Sequence, residues 1–372
     1  MGKLTVQKQT LFLVSSLLLV GLATAVPSVA NASEPIVLSQ KPTNPKLNAL
    51  LFEGQKRVKA GDIAGALGMY EQAAKIDTNN PRIFSAIGYL KTLQSNFLEA
   101  TQAYKAAIAL EPNNADFHYA LGYSLANAGD NIGAAAAYRR TIDLNRQNDK
   151  AYVGLGAVLR RQGDYQGAMK AYEQAIALDQ NNVQAYEFIG SLHLQQDRPQ
   201  QALQALQHAA ALAPQSSSVK LKLGTAWLMQ GNTGAALAIL KGVAQVEPSN
   251  PQIHLQIGKA LQARKDLDNA LEAYKQAISL QPNLVEAQAS IAEILMAKQD
   301  YQQAIAAYRQ VIESAPQNAQ AHYQLAMAFK QGDRKKDAIA ALEKARDLYR
   351  SQGKTEGVQQ TEAALQEMKK SS

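Results

Sequence analysis

The chain has 372 residues, 47% of them hydrophobic and 6% aromatic, with 12 prolines. An alanine-rich, aromatic-poor composition of this kind points to helix and away from a sandwich or barrel. Thirty-eight Lys+Arg against 31 Asp+Glu give a formal charge of +7, a small excess for the length that does not call for nucleic acid. Cysteine is absent, which excludes disulfides, thiolate nucleophiles, cysteine-ligated zinc, iron–sulfur clusters and a lipidated N-terminal cysteine.

Lys3 and Lys8 precede a mostly apolar run from Leu11 to Val26, and Ala30-Asn31-Ala32 follows as a small-x-small cleavage box. Residues 1–32 therefore read as a secretory signal cut after Ala32. The run falls short of the roughly 20 apolar residues that a bilayer core wants, and an uncleaved anchor is the alternative. Cleavage lowers the formal charge by two, and export makes the lack of cysteine costless. Residues 33–46, with Pro35, Pro42 and Pro45, are expected to form a flexible leader, because proline removes helix donors.

From Leu47 onward the sequence repeats with a period of 34. The twentieth position of each frame is Ala66, Ala100, Ala134, Ala168, Ala202, Ala236, Ala270, Ala304 and Ala338. The eighth is Gly54, Gly88, Gly122, Gly156, Gly190, Gly224 and Gly258, then Ala292 and Ala326. Two small residues allow two helices to approach closely. The twenty-fourth is large, as Tyr70, Tyr104, Tyr138, Tyr172, Leu206, Leu240, Tyr274, Tyr308 and Leu342, and is expected to fill the space that the small pair leaves.

Gly61-Asp62, Gly129-Asp130, Gly163-Asp164 and Gly231-Asn232 should each end one helix in a left-handed residue and cap the next. Pro112, Pro214, Pro248, Pro282 and Pro316 should break the second helix of their frames. The unit is helix, turn, helix, turn, over frames 47–80, 81–114, 115–148, 149–182, 183–216, 217–250, 251–284, 285–318 and 319–352. Residues 353–372 place Val358, Leu365 and Met368 on one helical face, which suits a capping helix and tail.

The small–large pattern and the period resemble the tetratricopeptide repeat family over Leu47 to Gln352, without insertion or deletion. The departures are few. Lys220, Gln288, His118, His254 and His322 replace the aromatic usual near the start of the first helix, Glu53 stands where other frames have Leu or Ile, and Arg146, Gln180 and Arg350 replace the closing proline. The resemblance implies an all-α, right-handed superhelical solenoid of nine repeats plus the cap, with the first helices lining a concave groove that holds a peptide or protein segment.

Leader, repeats and tail occupy the whole chain, leaving no room for a catalytic domain, and no HExxH, GxSxG, phosphate loop or calcium loop occurs. Gly154-Leu155-Gly156 lies inside a repeat helix. His118, His254 and His322 recur at one frame position, but they sit two or more repeats apart, too far to share a metal at about 2 Å; they read as packing residues. Trp227, the lone tryptophan, occupies an apolar frame position and reads as core. No catalytic residue, metal or cofactor is expected.

Groove positions two, five, nine, twelve and thirteen of each frame give Arg82, Tyr89, Tyr119, Tyr123 and Asn127, then Lys150, Arg160 and Arg161: an aromatic patch running into a basic one. Leu194, Leu221, Leu228, Met229 and Leu255 form an apolar stretch without obvious core need, and Glu293, Tyr323 and Met327 follow. The bland alternative is that so many lining residues cluster by chance. The Lys, Asn, Asn, Lys, Arg clamp of chaperone-binding relatives is not reproduced. The expected function is an exported, periplasmic or equivalent, non-enzymatic scaffold that binds proteins or peptides, with no nucleic acid and with membrane contact only through the transient signal. It could serve assembly of an envelope or membrane complex. A glycan- or peptidoglycan-associated accessory is the alternative, with Tyr89, Tyr119 and Tyr123 as stacking platforms.

Overall fold

The computed structural model describes residues 44–370, with side chains to 368. The secretory signal and most of the expected leader lie outside the described residues. The chain divides into two compact units, one ending at Gln180 and the other starting at Asn181. The division falls in the closing turn of the fourth frame, between α8 and α9, where the period continues uninterrupted.

The first unit contains α1 (Pro45–Lys59), α2 (Ile63–Ile76), α3 (Pro81–Leu93), α4 (Phe97–Leu110), α5 (Ala115–Asn127), α6 (Asn131–Leu144), α7 (Asp149–Arg161) and α8 (Tyr165–Leu178). The second contains α9 (Val183–Gln195), α10 (Pro199–Leu212), α11 (Ser217–Met229), α12 (Thr233–Val246), α13 (Pro251–Ala263), α14 (Leu267–Leu280), α15 (Val285–Ala297), α16 (Tyr301–Ser314), α17 (Ala319–Gln331), α18 (Lys335–Ser351) and α19 (Thr355–Lys370). The leader boundary needs correction. Pro45 does not exclude helix but opens α1 at its first position, where the missing N–H costs nothing, and the Asn44 side chain caps it by accepting from the amides of Lys46 and Leu47.

Each odd helix packs on the even helix that follows it, and each pair packs on the next within its unit. The nine frame alanines are fully buried between paired helices. The twenty-fourth residue lies against the eighth: a Cβ on Gly88 would stand 2.9 Å from the Tyr104 ring, and one on Gly190 would stand 2.4 Å from Leu206. The glycine is a socket for that large side chain, and a methyl group would occupy the ring's place. Gly154 does the same between pairs, since a Cβ there would lie 2.5 Å from the Tyr138 ring of the preceding pair.

The turn residue after each odd helix takes positive φ. Gly61, Gly129, Gly163 and Gly231 do so at 78° to 90°, and Ser95, Asp197, Lys265, Gln299 and Asp333 do so at 55° to 64°. Asp62, Asp130, Asp164 and Asn232 then cap the even helices through side-chain oxygens. Even helices stop two residues before Pro112, Pro214, Pro248, Pro282 and Pro316. Where Arg350 replaces the proline, α18 runs on to 17 residues. Helix α19 lays Thr361, Leu365 and Met368 against the last pair as buried residues, and Gly357 meets the Tyr349 ring. Glu53, in the first frame, pairs with Arg57 at 3.1 Å.

Candidate functional site

In the first unit α3 touches α5 and α5 touches α7, and in the second α9 touches α11 and α11 touches α13, while no comparable contact joins successive even helices. Closer approach on one side makes the odd helices the inner face of each unit.

On the first unit's inner face, Arg82 and Lys150 are exposed in the first turns of α3 and α7, and Tyr89 is half-buried on the core cluster of α1, α2 and α3. Tyr119 is half-buried, its ring 5.8 Å from that of Tyr138, and burial pushes its hydroxyl pKa up to about 12. Tyr123 requires correction: only 7% exposed, it stands edge-on to Phe97 at 6.5 Å, and it is part of the wall rather than a free binding platform. The sequence signal for this burial is Phe97, an aromatic at the start of the preceding even helix. Asn127 turns back to donate Nδ2–H to the Tyr123 carbonyl at 2.8 Å. Arg161 donates from Nη1 to the Ala126 carbonyl at 2.8 Å, while Arg160 is half-buried with its Nε shielded from solvent and without a hydrogen-bond acceptor.

The second unit's apolar row is also corrected. Leu255 is 1% exposed and belongs to the core, and Leu194, Leu221 and Leu228 pack partly against core clusters. Met229, at 39% exposed, is the member that stands out into solvent. Tyr323 and Met327 are half-buried against the same core, Glu293 is exposed, and Trp227 packs between two clusters. The sequence reading missed a polar knot on this face. Lys222 Nζ and Ser218 Oγ both donate to Glu187 Oε1 at 2.6 Å, joining α9 to α11, and Lys259 pairs with Glu286 at 2.6 Å.

The recurring histidines do more than pack. His118, His254 and His322 each donate Nε2–H to the carbonyl of the proline six residues earlier, at 2.9, 2.8 and 3.2 Å, and Gln288 does so to Pro282 at 2.7 Å. That proline stands just beyond a helix end, where carbonyls lack intrahelical partners. Among the described residues no three His, Asp or Glu side chains converge as metal ligands.

Stacked helix pairs with a side-chain-rich inner face define a helical-repeat solenoid of the protein-interaction class. Models described as TPR repeat match residues 88–129 and 156–197, and models described as tetratricopeptide repeat match 193–259, 251–284 and 290–352. The chain belongs to the tetratricopeptide repeat family. Among solved structures it is similar to a tetratricopeptide repeat protein from Parabacteroides merdae, at 16% identity over 68% of this chain and 100% of that one, with a TM-score of 0.55. It is also similar to the APC/C hetero-tetramer Cut9-Hcn1, at 18% identity over 75% of this chain and 55% of that one, with a TM-score of 0.56. Both likenesses concern the fold. A comparison with curated proteins finds no match.

Proposed function

We propose that the protein is an exported, non-enzymatic scaffold that holds extended segments of partner proteins on the inner faces of its odd-numbered helices, in the service of an envelope or membrane complex. One observation carries the binding reading: Tyr89, Tyr119, Leu221, Leu228, Met229 and Tyr323 all lie on inner-face helices and keep part of their apolar surface in solvent. Such surface contributes to binding when a partner covers it. Lys3, Lys8, the Leu11 to Val26 run and Ala30-Asn31-Ala32 support export. The alternative as a glycan accessory is weakened by Tyr123, whose ring is spent on Phe97.

The test is site-specific photo-crosslinking in cells. A photoreactive residue at Tyr89 or Leu228 should capture discrete protein partners, whereas one at exposed Lys241 of α12 should not. Capture from Lys241 alone would overturn the inner-face reading. N-terminal sequencing of the cell-derived protein should begin at Ser33, and an intact Met1 on membrane-bound protein would overturn export by cleavage.

A further inference from the structure

Two departures from the repeat fall together in the eighth frame. Its thirtieth position is Ser314, where the other eight frames carry Leu, Ile or Val, and its fourth is Gln288, where six other frames carry a ring. In the fifth frame two rings meet across the fourth and twenty-sixth positions, Tyr186 and His208, stacked at 5.3 Å. The eighth frame has Gln288 and Gln310 at those positions and leaves a cavity of about 260 Å³. Ile278 of α14, Pro282 of the turn after it, Gln288 of α15, and Gln310, Glu313 and Ser314 of α16 line it. None of the six stands at an inner-face position of its frame.

The charge of the lining asks for a cation. Carbonyls at a helix C-terminus carry partial negative charge, which a basic residue in the last turn offsets. Helices α14 and α16 both run to this cavity, and neither has a basic residue in its last turn. Glu313, exposed in the last turn of α16, adds a full negative charge there. Arg309, one turn earlier on the same helix, lies over the Phe329 ring at 5.7 Å, and Glu313 is in no ion pair with any described residue. The Gln288 amide, 7% exposed, spends its Nε2–H on the Pro282 carbonyl.

Pockets for whole small molecules begin at roughly 300 Å³, so a cavity of this size suits one long side chain. Ile278 and Pro282 offer an apolar wall to the stem of such a side chain, and a carboxylate receives a guanidinium at two points. We propose that the cavity is a second binding site, on the even-helix side of the second unit, that takes an arginine side chain of a partner protein. The guanidinium lies on the Glu313 carboxylate beside the Ser314 hydroxyl, and the methylenes run along Ile278 and Pro282. This site is separate from the inner faces and does not depend on what they bind.

An array of randomised twelve-residue peptides, probed with the full chain, with Glu313→Gln and with Ser314→Leu, tests this. Ser314→Leu restores the residue type of the other frames and refills the cavity without touching the inner face. The parent should bind a set of peptides enriched in arginine, and both variants should lose that set. For the best such peptide in fluorescence polarisation, exchanging its arginine for citrulline, which keeps the shape and loses the charge, should weaken binding at least fivefold to the parent and less than twofold to Glu313→Gln. Lysine in place of that arginine should bind more weakly, and equal binding overturns the guanidinium assignment. Melting temperatures of both variants should be no lower than the parent's, which separates lost binding from lost fold. Absence of arginine-dependent binding to the parent, or arginine dependence that persists in either variant, overturns the site and leaves the inner-face reading standing.

Discussion

Gly156 of α7 lies directly beneath the ring of Tyr172 of α8, so close that a Cβ on the glycine would stand 2.6 Å from the ring. Tyr172 is fully buried and cannot swing away. Gly156→Ala gains about 1 kcal/mol of helix propensity and incurs about 1 to 3 kcal/mol of overpacking, so it should destabilise the first unit. Gly242→Ala in α12 is the control, since nothing lies within 4 Å of the added methyl, and it should stabilise by about 0.5 to 1 kcal/mol. Urea denaturation followed by amide exchange on α7 and α12 measures both. A Gly156→Ala variant as stable as the parent would refute the socket.

The turn after each odd helix sets a second expectation. Lys265 and Gln299 hold φ near 63° and 64° where four other turns use glycine. The left-handed conformation costs a residue with a Cβ about 1 to 2 kcal/mol, and glycine returns about half of that to the unfolded chain. Lys265→Gly and Gln299→Gly should each raise the stability of the second unit by about 0.5 to 1 kcal/mol, read as a shift in denaturation midpoint. Loss of stability in both would mean that those side chains do something the turn geometry does not show.

Repetition made the helix pairing legible. Glycine at the eighth position with Tyr or Leu sixteen residues later, as in Gly88 and Tyr104, states a steric fit that one frame would not reveal and seven do. The cap was legible from Val358, Leu365 and Met368 for the same reason, one apolar face with nothing else to cover. Which inner-face residues remain accessible was not legible, because exposure depends on neighbours outside the frame position. Tyr123 is buried since Phe97 opens α4, whereas Lys259, at the same position four frames on, reaches Glu286. The division after Gln180 left no trace, since the period passes through it unbroken.

The tyrosines of the first unit follow from that correction. Tyr123→Ala should cost about 2 to 4 kcal/mol of stability, as deletion of a buried ring does, instead of acting on binding alone. Tyr89→Ala, half-exposed, should cost far less and weaken partner binding in the same assay. Thermal melting distinguishes the two, and equal melting temperatures would show that Tyr123 is free after all.

His322 gives the protein a pH dependence with a defined sign. Burial lowers its pKa below the ordinary 6.5, outweighing the hydrogen bond to the Pro316 carbonyl that acts in the opposite direction. The unfolded chain therefore binds a proton at a higher pH than the folded one. Stability present at neutral pH should fall as pH drops through 6.5 toward the folded pKa, and then level off. Gln288 already donates to Pro282 from the equivalent position, so His322→Gln should keep the bond and remove this part of the acid sensitivity. Melting temperatures at pH 7.5 and 5.0 measure it, and an unchanged difference between the two would exclude His322 as the source.

The cap carries the last prediction. Helix α19 buries Leu365 and Met368, at 5% and 4% exposed, and presses Gly357 to the Tyr349 ring so closely that a Cβ would stand 2.6 Å away. Without this cover the last pair would present Leu348 and Tyr349 to water, and a terminal repeat with an apolar outer face is insoluble or self-associates. Leu365→Ala should cost about 2 to 5 kcal/mol locally, because nearest-neighbour coupling carries the damage first into α17 and α18. Deletion of residues 355–372 should go further and produce concentration-dependent association, visible by light scattering. Protection in amide exchange should fall in α17 and α18 and stay at the parent level in α9 to α12. Uniform loss across the second unit would show that it unfolds as one block, and unchanged protection in α17 and α18 would show that α19 is dispensable.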